Sequence, residues 1–169
     1  MLKFRASGLS RTNIEEDFMT GLAIRNGEWV VVCDGAKALV LENVGDSKFP
    51  NLKTLEVFEE KHPATHEQGT ERPGRMPAVA QGTGRAAVGQ TDWHERGEES
   101  FLSKLAEHLD AALGAGKAKS MVVVAPPRAL GMLRPAYSHA LKNAVRAELD
   151  KDFVKMPVHE IEKHLTQKA

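Results

Sequence analysis

Arginine side chains beside glycine or proline recur in one stretch of the sequence, and this combination is suited to binding phosphate. The stretch is 61–97, and its arginines are Arg72, Arg75 and Arg85. Glycine lets the backbone approach an anion closely, and a guanidinium group can hold a phosphate through two parallel hydrogen bonds. We therefore expect these side chains to bind a phosphate-bearing partner such as RNA. The alternative is that they pair with the acidic residues of the same stretch and keep it soluble.

A second set of cations follows an apolar run at 120–125 that is typical of a buried strand. Arg128 and Arg134 come shortly after this run, and the carboxyl ends of strands are where ligands bind in α/β sheets. The range 117–146 as a whole contains six cations and no acid. It therefore predicts a basic face that binds ribosome or tRNA through salt-sensitive contacts. The alternative is that the two arginines form the solvated side of a short helical turn.

Two patterns could hold a metal ion, and each has a simpler explanation. Asp34 follows an apolar strand, where some nucleases carry a metal-binding carboxylate, but an Asp-Gly pair also forms a tight turn. Histidines with an aspartate are usual zinc ligands, yet no Cys pair or His-Glu-x-x-His string accompanies them, so solvated loop side chains are favoured. These residues are His62, His66, His94 and Asp92. The sequence therefore assigns no metal and no cofactor.

Length and composition limit the class of protein. The chain has 169 residues, which fits one domain. With 23 basic and 23 acidic side chains its net charge is zero, so no overall charge attracts the protein to nucleic acid or to an anionic membrane. The single cysteine, Cys33, excludes an internal disulfide and lies in an apolar run, where a buried inert thiol is expected. No apolar stretch of about 18 residues and no secretory signal is present, which predicts a cytoplasmic protein without a membrane span.

Hydrophobic periodicity predicts a single three-layer α/β domain, with a mixed β-sheet and helices on its faces. The predicted strands are 29–33, 36–42, 52–59, 120–125 and 151–156, and the predicted helices are 95–113, a short turn at 129–134, 135–149 and 158–165. The range 61–97 has neither a helical nor a strand period and is predicted to be a long loop. Residues 1–27 are predicted to be a mobile extension with Met19 as an alternative start, and 28–169 to be the domain.

Four stretches of the sequence occur together in a recognisable order. They are Trp29-Val-Val-Val-Cys-Asp-Gly-Ala-Lys-Ala-Leu, Arg72-Pro-Gly-Arg75, Gly84-Arg85 and Val124-Ala-Pro-Pro-Arg-Ala-Leu-Gly-Met-Leu-Arg134. Together they resemble the bacterial host attachment protein family, whose members are described as required for attachment to host cells. The Ala-Pro-Pro to Leu-Arg string is the most specific of the four.

The resemblance implies more about fold and site. The family is similar to the middle domain of the archaeo-eukaryotic peptide-chain release factor, which is ribonuclease-H-like and has the order hairpin, third strand, long loop, helix. In the release factor this loop carries Gly-Gly-Gln, which acts on peptidyl-tRNA at the ribosome. The nearest match here is Val88-Gly89-Gln90, with Val in place of the first Gly. The resemblance thus implies a binding role for Gly89 and Gln90, and a catalytic role for Gln90.

Three functions follow from the sequence. The favoured one is a non-enzymatic cytoplasmic binding protein of the host attachment family that affects attachment indirectly. The alternative is a release-factor-like translation component that binds ribosome or tRNA and hydrolyses peptidyl-tRNA through Gln90. The third, and least favoured, is a metal-dependent nuclease based on Asp34.

Overall fold

A computed structural model of the chain describes residues 22–60 and 85–166, with side chains of the second range described from Trp93 onward. Within these ranges the chain forms one β-sheet with helices. The strands are β1 (Trp29–Cys33), β2 (Lys37–Asn43), β3 (Leu52–Glu59), β4 (Met121–Val124) and β5 (Val145–Leu149). The helices are α1 (Arg85–Gly114), α2 (Pro127–Leu133), α3 (His139–Ala144) and α4 (Val158–Thr166), and a 3-10 turn spans Arg134–Ala136.

The sheet has the strand order β3-β2-β1-β4-β5. β1, β2 and β3 are antiparallel neighbours, whereas β4 pairs in parallel with β1 and with β5. β1 and β4 are runs of mostly β-branched residues that are buried throughout, as expected for strands covered on both faces. The predicted mixed sheet, with antiparallel strands first and helix–strand units after them, is confirmed.

The sheet lies between two helical layers, which confirms the three-layer arrangement. Leu102, Leu105 and Leu109 form one stripe of α1 and pack with Val31 on one side of the sheet. Because strand side chains alternate, Val30 faces the other side, where α4 packs. α2 and α3 share the α1 side. No helix in the described ranges is both long and apolar enough to cross a membrane.

One predicted helix is wrong in its second half, and one predicted strand is wrong. The range 135–149 forms part of the 3-10 turn, then α3, then β5. Apolar residues at every fourth position suggested one helical stripe, but Leu141 packs in the α1 layer whereas Leu149 packs on the opposite side of the sheet. The range 151–156, predicted as a strand, is the connection between β5 and α4.

The folded domain begins earlier than the predicted boundary between residues 27 and 28. Leu22 and Ile24 are buried in the core on the α4 side of the sheet. The backbone N–H of Leu22 donates to the carbonyl oxygen of Leu165, at the end of α4, at 2.9 Å. Residues 22–27 therefore belong to the domain. The remainder of the predicted extension, with Met19, lies outside the described residues.

A buried asparagine ties the first described segment to the connection between β2 and β3. Asn43 is fully buried, and all the hydrogen-bonding capacity of its side-chain amide is directed at backbone groups. Its Nδ2 donates to the carbonyl oxygens of Ile24 (2.8 Å), Arg25 (3.2 Å) and Asp46 (3.2 Å), and its Oδ1 accepts from the N–H groups of Gly45 (2.9 Å) and Asn51 (2.8 Å). One side chain thus holds two irregular segments in place.

A buried ion pair joins Glu28, the residue before β1, to Arg146 of β5. The carboxylate of Glu28 is fully buried and accepts from Arg146 Nε at 2.7 Å and from Arg146 Nη2 at 2.9 Å. The hydroxyl of Ser120 and the backbone N–H of Arg25 also donate to this carboxylate. Burial alone raises the pKa of Glu28, but these hydrogen bonds and the charge of Arg146 outweigh it and lower that pKa below its ordinary value.

The thiol of Cys33 is fully buried in β1, which confirms the sequence prediction. Burial, together with the neighbouring charge of Asp34, raises the pKa of this thiol to about 12. We therefore expect iodoacetamide to leave Cys33 unmodified in the native protein and to alkylate it fully in urea, as measured by mass spectrometry. Rapid alkylation without denaturant would contradict the burial described here.

Candidate functional site

The loop predicted over 61–97 ends earlier than expected, because α1 begins at Arg85. The loop was predicted because the range 61–97 is rich in Gly, Pro, His, Arg and Gln and shows no helical period, but its glycines Gly89 and Gly97 lie within this helix. Helix-favouring neighbours such as Ala86 surround them, and a long helix tolerates single glycines at a cost of about 1 kcal/mol each. The described part of the predicted loop is therefore helical.

This change affects the residues that the sequence assigned to the loop. Arg85, Gly89 and Gln90 lie in the first two turns of α1. The Val88-Gly89-Gln90 match to the release factor is thus in a helix and not in the loop that the resemblance implies. Arg72 and Arg75 lie outside the described residues.

Arg128 links two helices. Its Nη2 is 3.2 Å from Glu95 Oε1 and 3.2 Å from Glu98 Oε2, so the first turn of α2 is joined to α1. Glu98 in turn lies against the β1–β2 connection, where a Cβ on Gly35 would come within 2.5 Å of its Cγ. Glycine at position 35 therefore allows this close approach. The guanidinium of Arg128 already has two carboxylate partners, which compete with any external anion.

Arg134 also has an internal partner. Its Nε and Nη2 donate to Glu148 Oε2 at 2.8 and 2.7 Å, and the hydroxyl of Tyr137 donates to Glu148 Oε1 at 3.1 Å. The hydrogen bond to Glu148 raises the pKa of Arg134, and burial with the same carboxylate raises the pKa of Tyr137. Arg128 and Arg134 therefore interact with separate acidic partners and do not form one site.

Half of the cations in the basic face predicted for 117–146 are paired with acids. All three of its arginines are in ion pairs with glutamates: Arg128, Arg134 and Arg146. These glutamates lie outside the range 117–146 in sequence, so counting charges along the chain missed them. The exposed cations that remain are Lys117, Lys119 and Lys142.

The turn interpretation of Asp34 is confirmed. Its Oδ1 accepts from the backbone N–H groups of Ala36 and Lys37, both at 2.7 Å. Among the described residues, no three His, Cys, Asp or Glu side chains come together to hold a metal ion. Of the four zinc candidates, His94 is exposed on α1. The other three, His62, His66 and Asp92, are outside the residues whose side chains are described.

The described residues instead form a groove between β3 and α1, which we call the β3–α1 groove. β3 is an edge strand of the sheet. Two cavities lie between β3 and the side of α1 that faces it. The larger has a volume of about 520 Å³ and is lined by Val57, Phe58, Glu59, Glu60, Phe101, Lys104, Leu105 and His108. The smaller, of about 250 Å³, is lined by Trp29, Glu56, His108, Ala111, Ala112, Ala115 and Lys117.

Contacts between the two elements divide this groove. The imidazole of His108 contacts the carboxylate of Glu56, and its ring meets the ring of Phe58 edge-on with centroids 4.8 Å apart. Lys104 Nζ lies 3.5 Å from Glu60 Oε1 at the rim of the larger cavity. The larger cavity therefore has an apolar floor and a charged rim, with the His108–Glu56 pair between it and the smaller one.

The free edge of β3 presents backbone hydrogen-bonding groups next to the groove. The N–H of Glu60 donates to Ala36 at 2.8 Å, and the antiparallel register continues from this pair into β3. Because hydrogen-bonded and non-hydrogen-bonded pairs alternate, the N–H and C=O of Val57 and Glu59 face away from β2. At the other end of β3, the outward N–H of Leu52 donates to Glu162 Oε2 of α4 at 2.8 Å. Among the residues that the structure describes, the edge is thus covered at Leu52 and open at Val57 and Glu59.

Apolar side chains lie along the open part of this edge. The side chain of Val57 is 53% exposed and that of Leu55 is 43% exposed. The pairing of β2 with β3 shifts register between Val40 and Leu41, which leaves Leu55 as the extra residue of a β-bulge. Exposed apolar residues on an edge strand favour pairing with a further strand.

No residue of the β3–α1 groove was predicted from the sequence to be a binding residue. A signal was present in β3, whose charged residues fall on both faces of the strand, as is typical of an edge strand. The groove also needs His108 and Lys104 of α1. These two residues are remote from β3 in sequence, and nothing in the sequence places them against it.

The structure resembles a solved translation factor at a low level of similarity. The crystal structure of an archaeal translation termination factor matches with 14% sequence identity and a TM-score of 0.42, over 82% of this chain. The match covers 36% of the other protein, so this chain spans about a third of its length. A comparison with curated protein sequences gave no match.

The family comparison covers most of the chain. A family model described as "Protein required for attachment to host cells" matches residues 29–165, from the first residue of β1 into α4. The match therefore includes every strand of the sheet and the whole β3–α1 groove. The chain belongs to the family of proteins required for attachment to host cells.

Proposed function

We propose that the protein is a non-enzymatic binding protein that holds an extended segment of a partner protein along the free edge of β3, and that it affects attachment indirectly from the cytoplasm. The observation that carries the proposal is the open backbone of Val57 and Glu59 beside the apolar β3–α1 groove. An edge strand next to a helix is a common arrangement for binding a peptide as an additional strand, since main-chain hydrogen bonds supply affinity and pockets supply specificity.

The exposed apolar side chains of the edge support this mode of binding. An added strand would cover Leu55 and Val57, each of which is about half exposed. Burying the exposed half of such a side chain contributes about 1 kcal/mol. Every second side chain of the added strand would point toward α1 and enter the groove. The contact between Glu162 and Leu52 would limit pairing to the part of β3 beyond Leu52.

Ribosome or tRNA binding stays a prediction from the sequence. It concerns the residues Arg72, Arg75, Arg85, Gly89 and Gln90, together with the exposed lysines of the range 117–146. The ion pairs of Arg128 and Arg134 count against their part in it, and the helical setting of Gln90 counts against hydrolysis by the release-factor route. For these reasons we favour protein binding at β3.

Val57→Pro tests the proposal without disturbing the sheet. The N–H of Val57 faces away from β2, and proline is tolerated at such positions of edge strands. We expect this variant to keep its circular dichroism spectrum and to lose binding of a selected peptide by about tenfold or more, because one ladder hydrogen bond is lost and the ring obstructs the edge. The peptide would be selected from random linear peptides displayed on phage against the wild-type protein, and affinity would be measured by fluorescence anisotropy.

The matched control is Val57→Ala, which removes apolar area but keeps the N–H. It should bind the selected peptide more strongly than Val57→Pro does. In nuclear magnetic resonance experiments, hydrogen exchange of the Val57 and Glu59 amides should slow on peptide binding. Equal affinity of wild type and Val57→Pro, with no change in exchange at these two amides, would show that binding at the β3 edge is wrong.

A further inference from the structure

We infer that the partner segment carries a basic residue, a large apolar residue and a second apolar residue at three successive positions, opposite Glu59, Phe58 and Val57. The inference rests on the proposed function, since it describes the chemistry of a strand added at the β3 edge. It follows from the faces to which these three residues of β3 belong, and from the cavity and charges on each face.

The register between β2 and β3 fixes these faces. Phe58 pairs with Ala38, which lies in the core on the α1 side. Val57 pairs with Leu39, which packs against the core on the α4 side, and Glu59 is two residues from Val57 on the same face. Residues directly opposite each other in neighbouring strands share a face. An added strand would therefore direct one side chain, that opposite Phe58, toward α1, and its two neighbours toward the other face.

The position opposite Phe58 faces the larger cavity. This cavity has a volume of about 520 Å³ and an apolar floor formed by Phe58, Phe101 and Leu105. A small or polar side chain would leave the floor exposed to water, whereas an aromatic or long aliphatic side chain would cover it. The ring of Phe58 also offers an edge or a face to a second aromatic ring. The middle residue of the partner segment is therefore large and apolar.

The position opposite Glu59 lies on the face away from α1, where Glu59 is the only acidic residue of β3. Glu56 and Glu60 belong to the α1 face and contact His108 and Lys104 there. Glu59 has Lys37 of β2 as its neighbour on one side, and it is exposed at the end of the strand, so a cation can also approach it from the outer side. A lysine or arginine directly opposite it forms a favourable cross-strand pair, and an acidic residue there would be repelled. The residue of the partner segment opposite Glu59 is therefore basic.

The position opposite Val57 completes the pattern. Val57 is more than half exposed and shares its face with Leu39, so an apolar neighbour covers surface that is otherwise in water. The β3 strand of a second copy does not provide the three-residue pattern in either direction. Its only basic residue, Lys53, is followed by Thr54, which is too small and polar to cover the apolar floor, and is preceded by Leu52, which is buried and held by Glu162. We therefore infer a segment of a different protein as the partner.

Short fluorescein-labelled peptides with constant Ser and Thr flanks test the inference. The central residues are Arg-Phe-Val, and also Val-Phe-Arg because the added strand could run in either direction. We expect the better of the two to lose about 30-fold in affinity when Phe is replaced by Ala, the size of a binding hot spot. Replacing Arg by Glu should reduce affinity by about three- to tenfold, as exposed charge pairs do.

Glu59→Lys is the decisive variant. It should reverse the charge preference, so that the peptide with Glu in place of Arg binds more tightly than the peptide with Arg. Glu99→Lys, which makes the same charge change at an exposed position of α1, should leave the preference for Arg unchanged. These two variants separate a direct contact from a general effect of net charge.

The outcomes separate this inference from the proposed function. Loss of affinity with Ala and reversal by Glu59→Lys would support the inference. Equal binding of all the peptides, abolished by Val57→Pro, would overturn the inferred pattern while leaving strand addition in place. No binding of any designed peptide would also overturn the pattern. The affinities of the phage-selected peptide for the wild type and for Val57→Pro would then decide on the proposed function independently.

Discussion

Replacing Arg146 by methionine is expected to lower the free energy of unfolding by about 3–5 kcal/mol, the cost of leaving a buried charge without its partner. The carboxylate of Glu28 is fully buried and receives two hydrogen bonds from this guanidinium. Methionine keeps much of the side-chain volume but removes both donors and the charge. Urea unfolding followed by circular dichroism at neutral pH measures the change.

The dependence of this effect on pH provides a sharper test. In the wild type the pKa of Glu28 is below its ordinary value of 4.5, so its stabilising contribution is present above about pH 4.5 and is lost as the pH falls through the lower, folded-state pKa. In Arg146→Met the burial remains without the cation, and burial raises the pKa of Glu28. The variant therefore gains stability relative to wild type as the pH falls, and the difference between them narrows in acid.

A double-mutant cycle isolates the pair. Glu28→Gln in the Arg146→Met background should restore part of the lost stability, because no buried carboxylate then lacks a partner. Arg134→Met is the matched control, since that ion pair is more exposed and is expected to contribute about 1 kcal/mol or less. Equal losses for Arg146→Met and Arg134→Met would contradict the role assigned to the buried pair.

Asn43→Ala is expected to lower the free energy of unfolding by about 2–4 kcal/mol, because it leaves buried backbone groups without hydrogen bonds. The N–H of Asn51 and the carbonyl oxygen of Ile24 both lose their side-chain partner. Asn43→Asp should also destabilise the protein, since it directs a carboxylate oxygen at carbonyl oxygens. Thermal unfolding monitored by circular dichroism gives the order of the variants.

The same turn offers a control for this prediction. Asn26 Nδ2 donates to the carbonyl oxygen of Gly45 at 2.7 Å, but this bond is exposed to water. Asn26→Ala should therefore cost less than about 1 kcal/mol, because water can replace the lost donor. If the two alanine variants were equally stable, the buried network of Asn43 would not hold the segment as described.

The fold was predictable where a residue pattern had a single structural meaning. The all-apolar runs of β1 and β4 indicate buried central strands, and the stripe of leucines indicates the core face of α1. The prediction failed where two patterns overlapped. Leu141 and Leu149 have helical spacing, but they pack on opposite sides of the sheet, a fact that only the path of the chain determines.

The candidate site was less predictable for a related reason. Cations grouped along the chain predicted a basic face, but in the structure the arginines of that group pair with acids from other elements. The β3–α1 groove brings Glu56 together with His108, and Phe58 together with Phe101, across more than forty positions of sequence. Such pairs depend on the position of β3 at the edge of the sheet and on the packing of α1 across it.

The hydrogen bond from Leu52 to Glu162 has a consequence for solubility. Eight residues of an edge strand with exposed valine and leucine would be a hazard for fibril growth, because identical edges can add to one another indefinitely. Glu162 covers one end of the strand and the bulge at Leu55 distorts its middle, so a short stretch of regular edge is left. We expect a truncation that removes α4 to uncover the Leu52 end of β3 and to increase aggregation.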